Sequence, residues 1–189
     1  MIRLFFLGLL ASLTAFSCSK EDKPVNKTKT EGNTIASGYS KVKSSGENVQ
    51  KNQSVDFTWS ENGKEVKLSD FRGNIIMLNF WATWCGPCKR EIPALSEISS
   101  ELKGKNFKLI GISVDQNPAA LDNYLKANSI SYTVLHEPGD LLGKYMQASG
   151  NDQDVIPQTF IIDKNGKIAE ILIGGRSKSD FLTIINKYL

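Results

Sequence analysis

The chain has 189 residues, enough for one domain of ordinary size with its own core. Hydrophobic residues make up 40% and charged residues 23%, an ordinary balance for a soluble globular protein. A net charge of +3 gives no global field that would call for nucleic acid or a strongly anionic partner.

The distribution along the chain says more. Residues 1–17 carry one positive charge at Arg3, then an apolar run from Leu4 to Phe16 that closes on small residues before Cys18, the layout of a secretory signal. The uncharged stretch is shorter than the roughly 20 residues a spanning helix needs. It resembles a bacterial lipoprotein signal, in which cleavage falls before a cysteine that then carries lipid. Ser17 fits the position before that cysteine, whereas Ala15 and Phe16 depart from the usual pattern. The reading is a signal peptide over 1–17 and lipid attachment at Cys18, with an unmodified leftover cysteine as the alternative.

From residue 18 to 52 the sequence is rich in Lys, Ser, Asn, Thr, Gly and Glu, with no apolar periodicity. Such a stretch cannot bury enough apolar surface to offset its chain entropy, and it is expected to be a flexible tether. The folded domain is expected over 53–189.

Within that domain, apolar and polar residues alternate on both sides of Asn62-Gly63, a hairpin signal. The run "NIIMLNF" at 74–80 predicts a strand buried on both faces. A helix follows to about Leu102, with Ile92, Leu95, Ile98 and Leu102 at helical spacing, and "FKLIGISVD" at 107–115 predicts a second buried strand. Asn117 and Pro118 are cap and first position of a helix reaching about Asn128. "YTVL" at 132–135 predicts a short strand, and Asp140 caps a brief helix through Tyr145. "TFIID" and "KIAEILI" predict a closing hairpin, and Ser179 opens the last helix. Strands alternating with helices, then an antiparallel hairpin, predict an α/β domain: a central mixed β-sheet flanked by helices.

Two of the three cysteines stand in "FWATWCGPCKREIP", residues 80–93, where the buried strand gives way to the helix. Cys85 at that junction meets the positive end of the helix dipole and amides without helical partners, both of which favour thiolate. In a Cys-x-x-Cys pair of this kind the first thiol falls to about 7 or lower, a nucleophile at neutral pH. Cys88 lies one turn further in, placed to form a disulfide with Cys85 or to resolve a mixed one. Pro87 suits a first turn that needs no donor. Metal binding is not expected, because four ligands are normal for zinc and only Cys18 and His136 remain. A structural staple closing so short a loop would constrain the unfolded chain little.

This stretch resembles the active site of thioredoxin-like proteins, and residues 53–189 resemble their membrane-tethered extracytoplasmic branch, the TlpA and ResA type. The leading hairpin, "LSDFRGNIIMLNFWATWC", the inserted helix at 117–128 and "IPQTFIIDKNGKI" carry the likeness. It implies a thioredoxin-like fold, no cofactor, thiol-disulfide exchange with protein substrates, and a membrane electron donor. Apocytochrome c thiols are the best-known substrates of that branch. Residue by residue, Pro157 matches a cis-proline facing the cysteines, the alternative being a proline that merely starts a strand. Glu91 matches a helix carboxylate near the buried cysteine, the alternative being an exposed acid paired with Lys or Arg. Trp84 shields the disulfide and offers a stacking surface, or simply packs. Gln158 stands where Thr is frequent, and with the polar stretch before Ile156 it is read as lying beside the substrate groove. His136 is read as a solvated loop residue.

Two rival functions share the fold. A peroxiredoxin-like peroxidase would carry Thr three positions before its cysteine, where Ala82 stands, and a proline earlier. A copper carrier would use a three-residue spacer and a distant histidine.

Overall fold

The architecture follows from a single mixed sheet whose central strands are covered on both faces. A computed structural model describes residues 38–189; Cys18, the signal segment and the first part of the expected tether lie outside the described residues. In chain order the strands are β1 (Ser40–Ser45), β2 (Phe57–Glu61), β3 (Lys64–Lys67), β4 (Ile75–Trp81), β5 (Phe107–Ser113), β6 (Thr133–His136), β7 (Gln158–Ile162) and β8 (Ile168–Ile173). The helices are α1 (Gly86–Glu101), α2 (Pro118–Ala127), α3 (Leu141–Ser149) and α4 (Lys178–Ile185). The sheet order is β3-β2-β1-β6-β5-β4-β7-β8. β4 runs parallel to β5 and antiparallel to β7, so the strand that leads to the cysteines is paired on both edges.

Strand periodicity divides the core in two. Ile75, Met77 and Trp81 of β4 pack with Ile92, Leu95 and Ile98 of α1, Leu121 of α2, and Phe181 and Ile185 of α4. Ile76, Leu78 and Phe80 point the other way, toward Leu141, Tyr145 and Ala148 of α3 and toward Phe57 and Trp59 of β2. All seven residues of β4 are buried, which is why its sequence is apolar throughout except at Asn79.

Local signals set the connections. Asn62 and Gly63 turn the β2–β3 hairpin with φ of 51° and 76°, the paired positive values that such a turn requires. Asn117 caps α2 by accepting from Ala119 N–H at 3.0 Å, with Pro118 in the first turn. The cap of α3 differs from expectation. Asp140 makes no side-chain cap bond, and the Glu137 carboxylate accepts from Gly139 N–H at 3.0 Å and Leu141 N–H at 3.2 Å. Ser177, two residues earlier than expected, caps α4 in a reciprocal pair with Asp180.

The largest departure lies before residue 53. Residues 40–45, expected within the tether, form β1, the strand that joins the leading hairpin to the rest of the sheet. Val42 pairs with Trp59 on one side, while Ser40 and Lys41 pair in parallel with Leu135 and His136 on the other. The following segment is tied down as well: Asn52 N–H donates to Ala148 O at 2.7 Å and Asn52 O accepts from Ile168 N–H at 3.0 Å. The folded unit therefore includes residues that composition assigns to the linker. A chain beginning at residue 53 is expected to melt at least about 10 °C below one beginning at residue 38, measured by thermal circular dichroism.

Candidate active site

β4 delivers the chain to a turn that is held rigidly before the first cysteine. Asp115, just beyond β5, is 2% exposed. Its carboxylate accepts from Thr83 N–H at 3.0 Å, from Thr83 Oγ1–H at 2.7 Å and from Ser113 Oγ–H at 2.8 Å. Val114 N–H donates to Trp81 O at 2.9 Å and Cys85 N–H to Ala82 O at 3.1 Å, closing the turn from both ends.

Cys85 is the N-cap of α1, with Pro87 in the first turn. Its Sγ accepts from Cys88 N–H at 3.2 Å, so an amide without a helical partner faces the sulfur. Cys85 and Cys88 are joined in a disulfide. Cys85 is 5% exposed while Cys88 is fully buried, which makes the first sulfur the one an incoming partner reaches.

From the opposite side comes the segment before β7. The Ile156–Pro157 peptide is cis, Pro157 is buried, and its carbonyl accepts from Gly174 N–H at 2.8 Å. The Ile156 carbonyl oxygen stands 3.7 Å from Cys85 Sγ, where a reduced thiol donates to it. Trp84 projects into solvent with 68% of its surface exposed.

Glu91 sits one turn after Cys88 on the inward face of α1 and is 3% exposed. Its Oε1 accepts from Asn79 Nδ2 at 2.8 Å and its Oε2 from Arg176 N–H at 3.2 Å. Burial pushes this carboxyl up to about 7, against the lowering effects of the Asn79 and Arg176 hydrogen bonds and of the Arg176 charge. A cavity of about 270 Å³ lined by Pro87, Arg90, Glu91, Gly175 and Arg176 opens beside it.

The structure thus brings Cys85, Cys88, Glu91 and the Ile156–Pro157 segment together, with Trp84 on the surface next to them. His136 is not a solvated loop residue. It ends β6, is buried, and its Nε2 donates to Asp115 O at 2.7 Å, with its ring edge-on to Tyr39. Gln158 is wholly buried, with its side chain bonded to the polar stretch before Ile156. Sequence reasoning missed Asn79, whose Nδ2 also donates to Thr159 Oγ1 at 3.0 Å and so links β4, α1 and β7. The signal was present: a lone amide within a strand buried on both faces needs a polar partner. It missed Asp115 because nothing in that residue's own segment marks it, its role being set by Thr83, which the fold places opposite it.

Comparison with known proteins agrees with this geometry. The sequence matches the AhpC/TSA family over residues 50–171. The chain belongs to the AhpC/TSA family. Thiol-disulfide oxidoreductase ResA of Bacillus cereus is 32% identical over 126 residues, covering 66% of this chain and 69% of that relative. The ResA of Bacillus subtilis is 30% identical over 128 residues, covering 66% and 68%. Among solved structures, a thiol:disulfide interchange protein of the thioredoxin family from Chlorobium tepidum matches with a TM-score of 0.64 and 28% identity, covering 75% of this chain and 98% of that one. The exposed lipoprotein thioredoxin of Streptococcus pneumoniae matches with a TM-score of 0.58 and 28% identity, covering 70% and 98%. The fold of this AhpC/TSA member is thioredoxin-like, and its class is thiol-disulfide oxidoreductase of the ResA type.

The Glu91 carboxyl gives the site a pH signature. The folded state holds this proton more tightly than the unfolded chain does. The resulting stabilisation is fully present below about pH 4.5 and is lost as the pH rises through about 7. Glu91→Gln removes the titration, and the Asn79 amide can turn to meet the new donor. The stability of the variant relative to wild type is expected to improve by about 3 kcal/mol between pH 4.5 and 8, read from guanidinium unfolding at the two values.

Proposed function

We propose that this protein is an extracytoplasmic, lipid-tethered reductase of protein disulfides. The carrying observation is that the reachable sulfur, Cys85, faces both the Cys88 amide in the first turn of α1 and the Ile156 carbonyl, with Cys88 itself buried. Reduced Cys85 attacks one sulfur of a substrate disulfide, a new S–S bond forms, and the other substrate sulfur leaves as a thiolate. Cys88 then attacks Cys85 Sγ, expels the second substrate thiolate and regenerates the Cys85–Cys88 disulfide. Two electrons pass to the substrate. The Cys88 proton goes to Glu91, a buried carboxylate one helical turn away whose proton affinity is matched to neutral pH.

Pro157 keeps the preceding peptide free to lie against an extended substrate backbone, and Trp84 offers it an apolar face. A membrane electron donor supplies two electrons and two protons to restore the dithiol. The signal layout before Cys18, together with likeness to an exposed lipoprotein thioredoxin, supports anchoring through lipid on Cys18. Among the described residues no helix is long and apolar enough to cross a membrane. Disulfides of apocytochrome c, reduced to thiols before haem attachment, are the substrate class we assign by likeness to the ResA type.

The rival readings draw less support from the site. Ala82, buried three residues before Cys85, offers no hydroxyl to a peroxide. His136 has its Nε2 committed to the Asp115 carbonyl rather than directed to a metal shared with the cysteines.

Cys85→Ser is expected to lower disulfide reductase turnover by at least about a hundredfold. Cys88→Ser is expected to accumulate a mixed disulfide with substrate, seen as a band that dithiothreitol dissolves on non-reducing gels. Full activity in Cys85→Ser would overturn the mechanism. Cys18→Ser is expected to move the protein from the membrane to the soluble fraction, and unchanged membrane association would remove the lipid anchor.

A further inference from the structure

Gln158 follows the cis-proline directly and is buried completely, yet it is a long polar side chain, at the start of a strand paired on both edges. A buried amide must find partners for both of its ends. Both ends find them in one short segment. Gln158 Oε1 accepts from Asn151 Nδ2 at 2.9 Å, and Gln158 Nε2 donates to the Gln153 carbonyl. The segment is braced further from within. Gly150 closes α3 at φ of 70°, Asn151 N–H donates to Met146 O at 3.0 Å, Asn151 Oδ1 accepts from Gln153 N–H at 3.1 Å, and Gln153 O also takes Val155 N–H at 3.0 Å. The chain from Asn151 to Ile156 is therefore a pinned loop whose last carbonyl stands 3.7 Å from Cys85 Sγ.

The surface that this loop presents is unusual for the molecule. Among the described residues, three large apolar side chains are strongly exposed: Trp84, Val155 at 50% and Leu189 at the chain end. Trp84 immediately precedes Cys85, and Val155 immediately precedes Ile156. Exposed apolar side chains thus stand one residue from each partner in the contact at the reactive sulfur. Exposed apolar side chains grouped at a reactive group mark a binding surface. Their relative placement depends on the loop, and the loop depends on Gln158.

We propose that Gln158 is the positioning residue that pre-organises the Asn151–Ile156 loop as one wall of the substrate groove, selecting an extended peptide whose cysteine is flanked by apolar side chains. The inference rests on the reading that protein disulfides are the substrates. Holding the loop in its bound form removes an ordering cost that each encounter would otherwise carry. Releasing the clamp weakens binding of a peptide, which must lie along Val155 and Ile156. A small disulfide, which needs only the sulfur, is affected far less.

The test uses the full chain, pre-reduced, with two disulfides: a synthetic peptide joined by two cysteines that have apolar neighbours, and hydroxyethyl disulfide. Gln158→Met keeps the length and apolar bulk of the side chain and removes the amide. Asn151→Ala removes two side-chain contacts on the outer side of the clamp, to Gln158 Oε1 and from Gln153 N–H, and leaves β7 intact, so the pair remains informative if the first variant folds poorly. In single-turnover kinetics the half-saturating peptide concentration is expected to rise about five- to tenfold in Gln158→Met and about threefold in Asn151→Ala, with the limiting rate within about twofold. The ratio of peptide to hydroxyethyl disulfide reactivity falls accordingly. Equal losses on both disulfides, or an unmoved ratio in both folded variants, would overturn the role of Gln158. A wild-type protein with no preference for the peptide over hydroxyethyl disulfide would overturn the protein-disulfide reading itself, and the inference with it.

Discussion

The structure depends on one constraint: β4 is paired on both edges and buried on both faces. A strand so enclosed cannot slip by one residue without turning every side chain to the wrong layer. Ile75, Met77 and Trp81 would lose α1 and α4, and Ile76, Leu78 and Phe80 would lose α3. The end of β4 is therefore fixed in space, and with it the start of α1. Cys85 occupies that junction, so its sulfur is aimed at the Cys88 amide in the first turn of the helix by the packing of the whole core rather than by local turn preference.

Burial that strict leaves polar side chains few choices, and the protein uses them as ties. Asn79 bonds α1 and β7 from the middle of β4, Asp115 bonds the turn ahead of Cys85 from the end of β5, and Gln158 bonds the loop beyond α3 from the start of β7. Asn79 and Asp115 join segments distant in sequence while Gln158 ties a loop only five to seven residues before it, and each would leave a buried donor or acceptor without a partner if its segment moved away. The three ties surround the disulfide. They convert the rigidity of the sheet into fixed positions for the turn that carries Thr83, the helix that carries Glu91 and the loop that ends at Ile156.

What the sequence reveals of this follows from how each element earns its stability. β4 and α1 are readable because their own side chains bury them, and the apolar run and the helical spacing are visible locally. The β2–β3 hairpin is readable because Asn62-Gly63 has a conformational preference of its own. β1 is not. Ser40–Ser45 has no buried residue and only Val42 as an apolar member, and it is a strand because β2 and β6 offer it two unpaired edges. The same holds for the site. Cys85 and Cys88 are marked by spacing, whereas the ties at Asp115 and Gln158 are ordinary polar residues whose meaning lies entirely in what the fold places opposite them. His136 misleads for the complementary reason, since a histidine beside "EPGD" looks solvated until β6 carries it under Tyr39.

The charges around the two sulfurs bear on which way electrons travel. A dithiol whose thiolate is strongly stabilised holds its electrons and acts as an oxidant, while one with weaker stabilisation gives them up. At Cys85 the amide of Cys88 favours negative charge, but the Ile156 carbonyl oxygen on the other side opposes it. One helical turn beyond Cys88, buried on the same helix, stands Glu91, which carries its own negative charge once the pH passes about 7. Adding a thiolate there would place two negative charges in a poorly solvated layer. Moving the Cys88 proton onto Glu91 as the sulfur attacks avoids that cost, because one negative charge replaces another. In the proposed reaction the carboxylate that discourages a resting thiolate is thus also the base that lets the second step proceed, and both properties favour electron flow out of the pair.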